Sequence, residues 1–192
     1  MPCESVVALV LAAGRARRFG SDKRRTCLPS RGPLLAATLE TLRPHFTDIR
    51  VVLRHDDDRR LLGIPADIAT IPAIEAEQGM GASLAAGLRA LSRDSHAEAV
   101  AVMHGDMPWV QGAIFRALCA QAHAGLIVRP VFQGQGGHPV VFGRQFWPRL
   151  CCLEGDTGAR GVVRDHRAAC IEIETLDSGV LRDIDRPEDM PR

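Results

Sequence analysis

The chain has 192 residues, of which 46% are hydrophobic, and its 24 basic and 23 acidic side chains leave a net charge of +1. That length suffices for one α/β domain with a full core over residues 1–192, and the near-neutral balance excludes generic nucleic-acid binding through a broad positive field. No apolar stretch approaches the roughly 18 residues needed to span a bilayer, and Glu4 stands where a secretory leader would carry basic residues, so a cytoplasmic protein with no membrane partner is expected.

The first element is an apolar run over residues 6–11, which reads as a strand. It breaks into Ala12, Ala13 and Gly14, whose small side chains let a phosphate reach backbone N–H groups, and Arg15, Arg17, Arg18 and Lys23 surround that loop with fixed positive charge. The combination suits a nucleoside triphosphate. A Walker A loop requires G-x-x-x-x-G-K-[ST], whereas five residues separate Gly14 from Gly20 and Ser21, Asp22 and Lys23 follow. The fingerprint G-x-G-x-x-G is absent as well, which argues against a hydride-transfer enzyme.

Pro33 opens a helix over 33–42 with Leu35, Leu39 and Leu42 on one face. Strands over 49–53 and 68–71 follow, and the charged patch 55–60 between them reads as a solvated turn. Leu84, Leu88 and Leu91 predict a helix over 83–91, then come a strand over 99–103 and a helix over 110–122 carrying Ile114 and Leu118. Strands over 126–131 and 139–142 flank a flexible glycine-rich segment, 133–137, and a helix over 157–166 precedes a strand over 169–173. This alternation predicts an α/β, Rossmann-like three-layer sandwich, mostly parallel, with helices on both faces and ligands beyond the strand C-termini. The loops after residues 11, 71 and 103 then converge at one edge.

Those loops hold the candidate chemistry. Asp106 emerges after the strand over 99–103, where a carboxylate can bind Mg²⁺ together with phosphate oxygens and water, or cap a turn before Pro108. Gln78, Gly79 and Ser83 open a helix whose backbone can approach a flat base, or form an ordinary glycine-rich entrance capped by Ser83. His138, between Gly137 and Pro139, faces a ligand or serves as a structural hydrogen bonder. Asp156 and Thr157 resemble a helix N-terminus with Arg160 on its first turn, suited to an anionic acceptor or to a capped surface helix. No Ser-His-Asp or Cys-His constellation is visible, and an acceptor that is already an anion needs none.

The pattern L-A-A-G-x-x-x-R-x-G-x-x-K, here Leu11, Ala12, Ala13, Gly14, Arg18, Gly20 and Lys23, resembles the signature of the MobA-like nucleotidyltransferases. Gly79 to Leu84, Gly105 to Pro108, Gly137 to Pro139, Gly155 to Arg160 and Asp183 to Asp189 extend the resemblance over almost the whole chain. It implies a fold of the nucleotide-diphospho-sugar transferase type and a Mg²⁺-dependent enzyme. Arg18 would take the β and γ phosphates and Lys23 the charge developing between the α-phosphate and the leaving group; Leu11, Ala12, Ala13 and Gly14 would cradle the nucleotide. Asp185 would be the second metal carboxylate, with Asp183 in its place in a shifted register, unless Asp185 caps the turn before Pro187. The chain departs from the pattern at Arg24, Arg25, Thr26 and Cys27, where relatives often carry an apolar run into the sequence that is Leu28-Pro29 here.

The L-A-A-G form and the G-H-P and G-D-x-G-A-R segments look most like the branch that transfers CMP from CTP to a molybdenum-pterin cofactor. That implies CTP or another triphosphate, a phosphorylated acceptor such as molybdopterin contacted by His138, Asp156 and Arg160, and a molybdoenzyme partner. Two alternatives stand beside it: nucleotidyl transfer, with GTP for instance, to a sugar phosphate or similar acceptor, and a non-catalytic carrier of the cofactor. Lys23 and Asp106 favour the enzyme, because a carrier needs neither a leaving-group cation nor a metal carboxylate.

Overall fold

The computed structural model describes residues 2–15 and 19–190. Strand β1 (Val6–Leu11) lies between β4 (Ile49–Arg54) and β6 (Ala99–His104) and pairs parallel with both, while β5 (Ala69–Ala73) extends the sheet parallel to β4. On the other side β9 (Val140–Gly143) runs antiparallel between β6 and β7 (Ile127–Phe132), and β10 (Cys170–Glu174) closes that edge parallel to β7. The order is β10-β7-β9-β6-β1-β4-β5, with β8 (Gln135–Gly136) folded back on β7 and a separate short pair, β2 (Cys27–Leu28) with β3 (Gly32–Pro33).

Alternation along β1 builds two cores, because successive strand side chains point to opposite faces. Val6, Ala8 and Val10 meet Leu35, Leu39 and Leu42 of α1 (Leu34–Leu42) and Ile114, Phe115 and Leu118 of α3 (Gly112–Gln121). Val7, Leu9 and Leu11 meet Leu84, Leu88 and Leu91 of α2 (Met80–Asp94), Trp147 and Leu150 of α4 (Trp147–Cys151), and Val162 of α5 (Arg160–Asp165). Each such buried side chain contributes about 1.5–3 kcal/mol over leaving it in water, which holds the site's supporting strands in register. α2 approaches closely enough that a Cβ on Gly87 would lie 2.8 Å from Leu9 and 2.9 Å from Val52.

The expected three-layer, mostly parallel α/β sandwich is therefore present, with three local differences. The helix expected over 83–91 starts at Met80, as soon as Gly79 has turned the chain at a φ of 127°, and runs to Asp94. Residues 133–137 are ordered by pairing: Gln133 and Gly134, at φ of 51° and 76°, make the tight turn that lays β8 along β7. The helix expected over 157–166 shrinks to α5, preceded by the positive-φ residue Gly158. Among the described residues no helix is long and apolar enough to cross a membrane.

Candidate active site

β1, β4, β5 and β6 are mutually parallel, so their C-terminal ends share one edge, and Leu11 stands in register with His104. The ladders continue one residue beyond the strands: Ala12 N–H donates to the Val52 carbonyl at 2.9 Å, and Gly105 N–H to the Leu11 carbonyl at 3.0 Å. At Gly105 the chain passes so near Ala12 that a Cβ there would lie 3.1 Å from the alanine methyl. The small-residue loop and the Gly105-Asp106 turn are thereby packed side by side.

Lys23 opens a 3₁₀ turn (Lys23–Arg25) behind Asp22, and this turn sends its ammonium to the same place. Nζ lies 2.6 Å from Asp106 Oδ2 and 2.9 Å from Asp185 Oδ1, and it donates to the Ile184 carbonyl at 2.8 Å. The C-terminal segment is held there by fully buried Ile184, whose N–H reaches the Asp106 carbonyl at 3.3 Å. Asp189, not Asp185, caps the following turn, accepting from the N–H groups of Asp185 and Arg186 at 3.0 and 2.8 Å; the Asp185 carboxylate turns to Lys23.

Asp183 joins this group: one oxygen each from Asp106, Asp183 and Asp185 lie within 4.8 Å of one another. Burial alone would depress the Lys23 ammonium, but Asp106 and then Asp185 outweigh it and raise its pKa above the ordinary lysine value. Burial, with the charges of Asp106 and Asp185 added, raises the Asp183 carboxyl. Oδ1 of Asp106 is buried with no hydrogen-bond partner. An orphaned anionic oxygen beside two further carboxylates is costly in a low dielectric and suits a hard divalent cation, which takes oxygen ligands and tolerates few protein groups. Asp106, Asp183 and Asp185 are the residues that would hold one.

Of the other expected site residues, Arg18 lies outside the described residues. Leu11, Ala12 and Ala13 are buried, and Gly14 opens into free space. Arg15 pairs with Glu77, drawing the small-residue loop against the segment that carries Gln78. Ser83 is buried inside the first turn of α2, its hydroxyl donating to the Gly79 carbonyl at 3.3 Å. Asp156 Oδ1 accepts from Met80 N–H at 3.3 Å and so caps α2, not the helix that follows it in sequence; Gly81 N–H donates to the Gly155 carbonyl at 2.7 Å. The segments expected to bind base and acceptor therefore abut. Arg160 is near enough that its charge helps hold His104 below the ordinary histidine value.

Three residues near the site were given no role from sequence. His104 ends β6, with its ring 4.4 Å from that of His138 and tilted by 71°. Burial pushes both imidazoles down to about 4, helped by Lys23 at His104 and by His104 at His138, so both are neutral near neutrality. A histidine two positions before Asp106 at a strand end was the available signal. The other two are Arg24 and Asp57, whose side chains are each 6% exposed and paired with one another. Most of the 55–60 patch is the exposed turn expected, but within it Asp57 reaches inward to the guanidinium of Arg24.

A lysine held among carboxylates, next to a small-residue loop on the C-terminal edge of a parallel sheet, defines the class of α/β nucleotidyltransferases. The model of the MobA-like NTP transferase domain matches residues 8–170, and the chain belongs to that family. It is 29% identical over 195 residues to the purine catabolism protein PucB of Bacillus subtilis (strain 168), covering 96% of this chain and 93% of that one. Rv0371c from Mycobacterium tuberculosis H37Rv is similar in structure, with a TM-score of 0.78 at 28% identity over 96% of this chain and 95% of that one. Its complex with manganese gives a TM-score of 0.76 at 25% identity over the same shares. Molybdopterin-guanine dinucleotide biosynthesis protein A from Archaeoglobus fulgidus shares the fold, with a TM-score of 0.68 at 18% identity over 95% of this chain and 94% of that one.

Proposed function

We propose that the protein transfers CMP from CTP to the terminal phosphate of a molybdenum-pterin cofactor and releases pyrophosphate, with Mg²⁺ held by Asp106 and Asp185 and flanked by Asp183. The observation that carries this reading is Lys23 Nζ set 2.6 Å from Asp106 and 2.9 Å from Asp185 at the sheet edge where the Ala12-Ala13-Gly14 loop emerges. In the reaction an oxygen of the acceptor phosphate bonds to the α-phosphorus while the bond from that phosphorus to the bridging oxygen breaks, and its electron pair leaves with pyrophosphate. Positioning and electrostatics supply nearly all the catalysis in such a step.

Lys23, kept charged by its carboxylates, meets the charge that grows on the bridging oxygen. Mg²⁺, when bound, offsets the negative charge of the phosphates. The loop from Leu11 to Gly14, with Arg18, receives the triphosphate, and Gln78, Gly79 and Ser83 form the wall for the base. His138, Asp156 and Arg160 face the acceptor. No general base is required, because the acceptor phosphate is already an anion. The choice of cytidine and of a pterin acceptor is supported by the L-A-A-G, G-H-P and G-D-x-G-A-R segments.

The test is a transferase assay with each of the four ribonucleoside triphosphates and Mg²⁺, with and without molybdopterin. Pyrophosphate released from CTP only when molybdopterin is present is the expected result. Release from GTP assigns another donor nucleotide, and release only when a sugar phosphate takes the place of molybdopterin assigns another acceptor. Tight pterin binding without pyrophosphate release under any triphosphate makes the chain a carrier.

A further inference from the structure

The small-residue loop that follows β1 is pinned at both ends by a single side chain. Arg24 is 5% exposed, and its Nη1 donates at 2.7 Å to the carbonyl of Ala12, the first residue past β1. Its Nε and Nη2 hold Asp22, the residue just before Lys23, at 2.8 and 2.6 Å. From behind, Asp57 takes Nη1 and Nη2 at 2.5 and 2.7 Å. Asp57 is itself fixed at the exit of β4, accepting from the Arg54 N–H at 2.9 Å and from its guanidinium at 2.9 Å. The planar fork of one arginine thus joins the end of β1, the end of the loop and the end of β4.

We infer that Arg24 is a positioning residue for nucleotidyl transfer: by gripping Ala12 and Asp22 together it sets the span of the triphosphate loop and the placement of adjacent Lys23 over Asp106. This rests on the reading of that loop as the triphosphate site. Arg24 touches no reacting atom; it acts through the backbone of Ala12 and through the turn that carries Lys23. Lysine cannot substitute, because a compact ammonium has no fork with which to reach a carbonyl and two carboxylates in different directions. Stability alone does not account for the arrangement, since a buried ion pair can be exchanged for apolar side chains at little or no cost. What an apolar pair lacks is any hold on the Ala12 carbonyl and on Asp22.

That difference makes the test. The parent, Arg24→Lys and the double variant Arg24→Leu/Asp57→Leu are compared for melting temperature, for CTP affinity by calorimetry with Mg²⁺, and for kcat and KM below the melting range. The double variant is expected to melt somewhat below the parent, since the Ala12 carbonyl, Asp22 and Arg54 lose Arg24 or Asp57, and, assayed while folded, to bind CTP about tenfold or more weakly and turn over more slowly, since small misplacements of reacting groups cost up to about a hundredfold in rate. Arg24→Lys, the measure to rely on if the double variant does not fold, is expected to show the same weakening while still folded by circular dichroism. Parental CTP affinity and kcat in either folded variant overturns the inference. A parent that binds none of the four triphosphates overturns the functional reading instead, and the inference with it.

Discussion

Oδ2 of Asp106 lies 2.6 Å from Nζ of Lys23, while Oδ1 of the same carboxylate is buried without a hydrogen bond. The lysine pairs with one oxygen of the aspartate and leaves the other without a partner, in a residue that lies within one cluster with Asp183 and Asp185. One residue thus pairs with a resident ammonium and keeps an oxygen that the proposed metal ion would take.

Lys23→Ala is expected to slow the chemical step far more than it weakens CTP binding. Charge on the bridging oxygen is largest in the transition state, and removing one such contact typically costs about 3–4 kcal/mol, on the order of a hundred- to a thousandfold in rate. The variant also strips the counter-ion from Asp106 and Asp185, so Mn²⁺ should raise its melting temperature by more than it raises the parent's. Single-turnover rates alongside calorimetric CTP affinities separate the two effects; equal turnover in mutant and parent removes Lys23 from the mechanism.

Asp106→Asn keeps the shape of the side chain and loses the charge that fixes a hard cation among oxygens. Activity should fall steeply and the Mg²⁺ concentration for half-maximal rate should rise, with Asp106→Ala at least as inactive. A capping role reverses the order, because asparagine caps as well as aspartate and alanine does not. Near-parental activity and an unchanged Mg²⁺ requirement in Asp106→Asn, with Asp106→Ala merely melting earlier, makes the residue structural.

Gly81→Ala tests the contact between the segments proposed to receive the base and the acceptor. A Cβ at Gly81 would lie 2.8 Å from the carbonyl oxygens of both Glu154 and Gly155, backbone atoms that cannot rotate away. Overpacking of this kind costs typically about 1–3 kcal/mol, which offsets or exceeds the gain of about 1 kcal/mol from replacing glycine inside a helix. Urea melts should show no stabilisation and CTP affinity should fall as the Asp156 cap on Met80 is pushed off. A variant more stable than the parent with unchanged affinity means that the loop yields freely.

His138 ties stability to pH. An unfolded histidine binds a proton near 6.5, whereas burial holds the folded His138 neutral down to about 4. Between those values unfolding takes up a proton, so this contribution is complete above about 6.5 and is lost as pH falls toward 4. His138→Gln removes the titrating group, and its unfolding free energy should fall less steeply than the parent's across that window in parallel denaturant titrations. Identical slopes contradict the assignment.

Much of this was legible in the residues as written. The positions of β1, β4, β6 and α1, the parallel alternation and the convergence of the loops after Leu11 and β6 follow from local periodicity, and each rests on side chains only a few positions apart. Asp106 was recognisable because it directly follows a strand end, and Lys23 because it completes the L-A-A-G-x-x-x-R-x-G-x-x-K pattern of the basic loop. The turn at Gln133 and Gly134 was not, since a glycine-rich stretch reads as flexible until a partner strand is placed beside it.

What the sequence by itself determined is the fold class, the small-residue loop after β1 and the identity of the charged groups near it. Only the tertiary structure decided which charges meet: that Lys23 lies between Asp106 and Asp185, residues 83 and 162 positions away in the chain, and that Arg24, with Asp57, belongs inside the molecule. The physical reason is that burying an ion depends on its counter-ion arriving with it. Arg24 and Asp57 each read as a solvated charge alone, and they become buried partners only once β1 and β4 are laid side by side.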